Sequence, residues 1–263
     1  MKVIVVPTDF STAAENAMLF AGELANRVQA SVLLLHIYQL PVSMNEMPVL
    51  MIPAEELKHA ADAGLEKAKE VLQKRFVSLD IKTESRMGDV IDELSDVCKQ
   101  FDPLAVIVGK HGATGVERFL FGNTSLSIIR HSSVPVIAVP DLVTEHRLKN
   151  LVLAIDALDH SIPQQRVKEF AEEIDARLFV VHIHTDKSRQ EPNPLIAELS
   201  ASYTVVQDEE FVHGIEKFVA DNSIDMIIII PHKHSLVERM FFKTHTKDLM
   251  EKISIPVMCV PES

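Results

Sequence analysis

The sequence has little cysteine, no long apolar run and no basic excess. Its two cysteines, Cys98 and Cys259, stand far apart and form neither a metal nor a redox spacing. That usage fits a reducing compartment, so a cytoplasmic location is expected. No apolar run nears the roughly 18 residues that a bilayer span needs, so no membrane association is expected. The N-terminal stretch MKVIVVPTDFS carries one lysine and a short apolar run before Pro7. It is too short for the apolar centre of a secretory signal. Acidic residues outnumber basic ones by 38 to 26, for a net charge of −12. A polyanion would be repelled on average, and no basic stripe reverses this locally. Nucleic acid is therefore not an expected partner. Two generic nucleotide motifs are also missing. Neither Gly-x4-Gly-Lys-Ser/Thr nor Gly-x-Gly-x-x-Gly occurs.

What is there is a repeat. The chain has 263 residues, 47% hydrophobic and 24% charged, enough for one large core or two small ones. Val116-Glu117-Arg118-Phe119-Leu120-Phe121 resembles Val237-Glu238-Arg239-Met240-Phe241-Phe242, 121 residues later. The same offset carries Pro135-Val136-Ile137-Ala138-Val139-Pro140 onto Pro256-Val257-Met258-Cys259-Val260-Pro261. Leu33-Leu34-Leu35-His36-Ile37 resembles Phe179-Val180-Val181-His182-Ile183, and Val3 to Asp9 resembles Asn150 to Asp156. Four blocks recurring in one order indicate duplication. The seam follows Pro140, giving domains over 1–143 and 148–263.

Short apolar runs bounded by turns read as strands buried on both faces. In the first repeat they fall near 2–6, 31–37, 104–108 and 135–139. A polar run, Ile81 to Arg86, reads as an edge strand. Ser11 is a good N-cap for a helix reaching about residue 28. Glu55 to Arg75 is rich in helix formers, and Asp89 to Gln100 has helical spacing. Asn123 or Thr124 opens a last helix that ends near His131. The second repeat has strands near 150–155, 177–183, 203–207, 225–230 and 256–260. Strands alternating with helices predict an α/β fold of two tandem, doubly wound parallel five-stranded sheets. Leu40 to Pro53 contains three prolines and three methionines. It reads either as a surface connection or as a lid or partner surface.

The strand at Ala105–Val108 runs into Gly109-Lys110-His111-Gly112, and Gly122-Asn123-Thr124-Ser125 opens the next helix. Glycines let a backbone approach a ligand closely. A helix start offers unpaired amides and the positive end of a dipole. Together these make a phosphate cradle. The spacing Gly-x2-Gly-x9-Gly resembles the nucleotide-binding signature of ATP-binding universal stress proteins. Pro7-Thr8-Asp9, His36-Ile37 and the Pro-Val-x-x-Val-Pro strands resemble that family too, over nearly all of both repeats.

The resemblance implies a Rossmann-like fold of the adenine nucleotide alpha hydrolase kind, with the two repeats related by a pseudo-two-fold axis. It implies ATP, with or without magnesium, as the ligand, and a sensor or regulatory role in stress response. Pro7, Thr8 and Asp9 would meet the nucleoside, and the backbone of Ile37 would read the adenine. Val108, Gly109 and Gly112 would line the nucleotide. Gly122, Asn123 and Thr124 would hold the phosphates. Asn123 stands where the family has Ser or Thr; its amide can cap a helix and donate to a phosphate oxygen. The family also implies that the last strands of the two repeats pair, and it allows further homodimerisation.

At the 121 offset the three glycines become Ile230, Lys233 and Lys243, so the second repeat is expected not to bind nucleotide by this loop. Asp156 keeps the position of Asp9. The histidine pairs His182/His184 and His232/His234, with His213 and His245, match no recognised zinc spacing, and zinc is not expected. No nucleophile–base set can be assembled, so catalysis is not expected beyond slow ATP hydrolysis. Lys110 and His111 would touch a phosphate or stay solvated. Two other functions remain open: a protein-binding scaffold with a vestigial site, and an enzyme acting on a nucleotide or small phosphorylated substrate.

Overall fold

The computed structural model describes residues 2–40, 53–110, 123–140, 148–155, 162–184, 202–231 and 253–261. It separates into two compact units, Met1–Gly109 and Lys110–Ser263.

The first unit holds four strands: β1 (Val3–Pro7), β2 (Ser31–Tyr38), β3 (Ile81–Met87) and β4 (Ala105–Gly109). They lie in the order β3-β2-β1-β4, all parallel. Ile4, Val5, Val6, Val32 to Leu35 and Ala105 to Val108 are buried, as continuous apolar strands between two helical layers require. Helix α1 (Thr12–Val28) starts at Ser11, whose hydroxyl accepts from the Ala14 amide at 3.3 Å. It buries Ala13, Ala17, Phe20, Ala21 and Leu24 against the sheet. It ends at Gln29 in the left-handed region, with φ 54°. Helix α2 (Ala54–Arg75) packs beside α1 over β2 and β3. Helix α3 (Val90–Phe101) is capped by Asp89, which accepts from the Ile91 amide at 2.8 Å. It returns the chain in the opposite direction, and right-handed crossovers then put it on the other face.

The polar strand β3 lies at the sheet's end, as its composition predicts. Side chains alternate across a strand. Thr83 and Ser85 donate to Glu66 and Asp62 of α2, at 3.2 and 2.6 Å. Arg86, facing the other way, meets Glu93 and Gln100 of α3 at 3.5 and 3.1 Å. The charged edge also resists pairing with foreign strands.

The second unit holds β5 (Val136–Val139), β6 (Asn150–Ile155), β7 (Arg177–His184), β8 (Tyr203–Gln207), β9 (Met226–Ile229) and β10 (Val257–Cys259). Their order is β5-β10-β9-β6-β7-β8. Helices α4 (Asn123–His131), α5 (Gln164–Glu173) and α6 (Phe211–Asn222) accompany them. All neighbours are parallel except β5 and β10, which pair antiparallel through Val136 with Cys259, Ile137 with Met258 and Ala138 with Val257. These are the last strands of the two sequence repeats, and their pairing was expected.

Strand register repeats the duplication residue for residue. Ile4 pairs with Ala105 in the first repeat, and Leu151 with Met226 in the second. Ile4 also pairs with Val32, and Leu151 with Leu178. The sequence offsets that align the repeats therefore also align their strand ladders.

Candidate functional site

In an open parallel sheet, a crevice forms where strand order reverses, beyond the carboxyl ends of the strands. In the first unit that point lies between β1 and β4. Thr8 and Asp9 follow β1, and Gly109 ends β4.

The turn after β1 is held by its own side chains. Thr8 donates its amide to the Leu35 carbonyl at 2.8 Å. Its hydroxyl accepts from the Phe10 amide at 3.0 Å. Asp9 is exposed, and its Oδ1 accepts from the Ser11 amide at 3.0 Å. Between these bonds Phe10 takes φ 63°, a region that disfavours large side chains and costs on the order of 1–3 kcal/mol. The strained residue is held in place by its ring. The Phe10 ring stacks on His36, with centroids 4.4 Å apart and planes 30° apart. His36 Nδ1 lies 2.7 Å from the Thr8 carbonyl. A carbonyl only accepts, so Nδ1 carries the proton.

Ile37 is half-buried near the end of β2. Backbone polar groups alternate sides along a strand. Leu35 turns its carbonyl toward Thr8, so Ile37 turns its own amide and carbonyl to that same side, past the end of β1. Pro7 is half-buried, and Val108 is buried within β4. Gly109 has a structural reason to be glycine: a Cβ there would collide with the Ala13 carbonyl of α1.

Six of the sequence-derived site residues thus lie at the carboxyl ends of adjacent strands of the first unit: Pro7, Thr8, Asp9, Ile37, Val108 and Gly109. Asn123 and Thr124 open α4 in the second unit, with Thr124 exposed. Gly112 and Gly122 lie outside the described residues, as do His111, Asp156, Lys233, Lys243 and the proline- and methionine-bearing segment 41–52. Ile230, which replaces Gly109 in the second repeat, is buried.

Two features escaped sequence reasoning. Phe10, His36 and Gly64 form one packed group. A Cβ on Gly64 would sit 2.6 Å from Phe10 Cζ. Glycine inside a helix costs about 1 kcal/mol, so its presence in the middle of α2 was a signal of close packing. Lys110 is the second feature. It is neither solvated nor placed for phosphate: it is buried, and its Nζ donates to the Ile253 carbonyl at 3.1 Å.

Two histidines of the second unit, His182 and His213, have other partners. His182 is buried, 3.4 Å from the Tyr203 hydroxyl, and burial raises the Tyr203 pKa. His213 meets Asp208 at 2.8 Å. The Asp208 carboxyl is lowered chiefly by the Glu210 amide and also by His213. Among the described residues no three His, Cys, Asp or Glu side chains converge as a metal site. No helix among them is long and apolar enough to cross a membrane.

Parallel strands, helices on both faces and a strand order that reverses at β1 define an α/β protein of the doubly wound kind. The chain belongs to the universal stress protein family, whose model matches residues 1–140 and 197–261. Universal stress protein Slr1230 of Synechocystis is 24% identical, over 98% of this chain and 99% of that protein. Universal stress protein MJ0531 of Methanocaldococcus jannaschii is 30% identical, over 52% of this chain and 81% of that one. A universal stress protein of Archaeoglobus fulgidus, known from its crystal structure, shares the fold with a TM-score of 0.72. It is 15% identical, and the match covers 99% of this chain and 98% of that one.

Proposed function

We propose that the chain binds an adenine nucleotide, ATP above all, at one site in its first repeat, and acts as a sensor or regulator in stress response. The observation that carries this reading is the placement of Thr8, Asp9, Ile37 and Gly109 around the β1–β4 reversal. Asp9 would hold the ribose or the adenine edge, and the Ile37 backbone would read the base. Val108, Gly109 and Gly112 would line the nucleotide. Gly122, Asn123 and Thr124 would hold the phosphates, with or without magnesium. No turnover is proposed beyond slow hydrolysis.

Calorimetric titration with ATP tests it. One ATP per chain is expected, with binding lost in Gly122→Val. Absence of heat with ATP, ADP and AMP, with and without magnesium, would refute it.

A second reading has one observation in its favour. Gly109 is already required by Ala13, and Lys110 is turned inward, so part of the loop sequence has a structural purpose. A protein-binding scaffold with a vestigial site would then be the function. It predicts partner capture that is unaffected by ATP.

A further inference from the structure

The β1–α1 turn is held from outside as well as by its own side chains. Phe10 sits at φ 63°, where a phenylalanine rarely rests. Two local bonds close the turn, from the Phe10 amide to Thr8 Oγ1 and from the Ser11 amide to Asp9 Oδ1, both 3.0 Å. Local bonds alone would suit Gly or Asn at this position equally well. The ring explains the phenylalanine. One of its faces lies on His36, and its tip fills the space left by the missing side chain of Gly64, on α2. His36 in turn bonds the Thr8 carbonyl. The turn is thus braced at three points, from β2, from α2 and from its own side chains.

We infer that Phe10 is a positioning residue: seated between the His36 ring and Gly64, it fixes the left-handed turn that aims the Asp9 carboxylate at the β1–β4 crevice. This rests on the nucleotide reading for what Asp9 touches. It does not rest on that reading for the brace itself. Phe10 acts through Asp9, so removing the brace should matter only while Asp9 is a carboxylate.

The test combines a double-mutant cycle with amide exchange on the full chain. Mg-ATP is titrated into the wild type, Phe10→Ala, Gly64→Ala, Asp9→Asn and the Phe10→Ala/Asp9→Asn pair. Phe10→Ala and Gly64→Ala should each weaken ATP binding at least about tenfold, as misplaced contact groups do. Gly64→Ala is informative because alanine favours helix, so its loss cannot come from weakening α2. In the Asp9→Asn background, Phe10→Ala should cost less than about twofold. Additive losses overturn the assignment, as does full affinity in Gly64→Ala.

Amide exchange decides independently of ATP. His36→Asn keeps a donor to the Thr8 carbonyl but lacks the ring. In it and in Gly64→Ala, the Ser11 amide should exchange at least about tenfold faster. If the wild type takes up no ATP, the nucleotide reading falls and exchange alone judges the brace. Unchanged Ser11 protection in both variants overturns it.

Discussion

The ammonium of Lys110 reaches the main-chain oxygen of Ile253, 3.1 Å away and 143 residues on in the sequence. Lys110 follows the last strand residue before the glycine loop of the first repeat. Ile253 precedes the final strand of the second. The Lys110 backbone amide is held as well, donating to the Val139 carbonyl at 2.8 Å. Two segments of different repeats are thus joined by one buried side chain.

Lys110→Ala should destabilise the protein by about 1–3 kcal/mol, because it strands a buried carbonyl and removes packing. Lys110→Met keeps most of the packing and separates the two contributions. Urea unfolding midpoints measure both. A midpoint unchanged in Lys110→Ala would show that the contact is not structural.

Gly109 and Gly88 make a paired test. A Cβ on Gly109 meets the Ala13 main chain, which cannot yield without moving α1. Gly109→Ala should cost about 1–3 kcal/mol. A Cβ on Gly88 meets the Glu93 side chain, which can swing aside. Gly88→Ala should cost under about 0.5 kcal/mol. Equal midpoints would mean that Gly109 is present for a ligand alone.

The strand pair β5–β10 is buried, with Ile137 opposite Met258, both fully covered. Met258→Asp leaves an uncompensated buried charge and should cost at least about 3 kcal/mol. Val205 on β8 is 53% exposed, and Val205→Asp should shift stability by no more than about 0.5 kcal/mol. Chemical unfolding of the two variants side by side measures the contrast.

Burial raises the Cys98 thiol from 9.0 to about 11, and it raises Cys259 further. Both should resist a disulfide reagent in the native state, and both should react after denaturation. A thiol whose folded pKa lies above its unfolded value stabilises the fold below the unfolded pKa. For Cys98, that contribution should be lost as pH climbs from about 9 through about 11. Unfolding midpoints across that range, in wild type and Cys98→Ser, check the sign.

Most of the architecture was legible because strand burial and turn chemistry are local signals. Ile4 to Val6 and Ala105 to Val108 are apolar without alternation, which marks strands covered on both faces. Ser11 and Asp89 cap helices by bonds that reach only two or three residues ahead. The polar face of β3 declared an edge. Pairing of β5 with β10 came instead from the family resemblance. What could not be read were contacts set by distant packing. Nothing near Phe10 in sequence reveals that Gly64 leaves room for its ring. Nothing near Lys110 reveals that its charge turns inward to Ile253. The glycine of the loop was read for its ligand, while its nearest neighbour in the fold is the backbone of α1.

The antiparallel pairing of β5 with β10 joins strands from two copies of one ancestral unit, and a covalent chain keeps them together. Their association no longer depends on how much protein a cell contains, since a tether sets the local concentration. Separate subunits would carry identical sequences, so a change in the loop of one would appear in both. Linked copies escape that symmetry. The second repeat can replace a glycine with Ile230 while it continues to supply Met258 and Cys259 to its partner strand. Duplication within one chain therefore lets the two copies differ at the loop position while both still supply a strand to the shared seam.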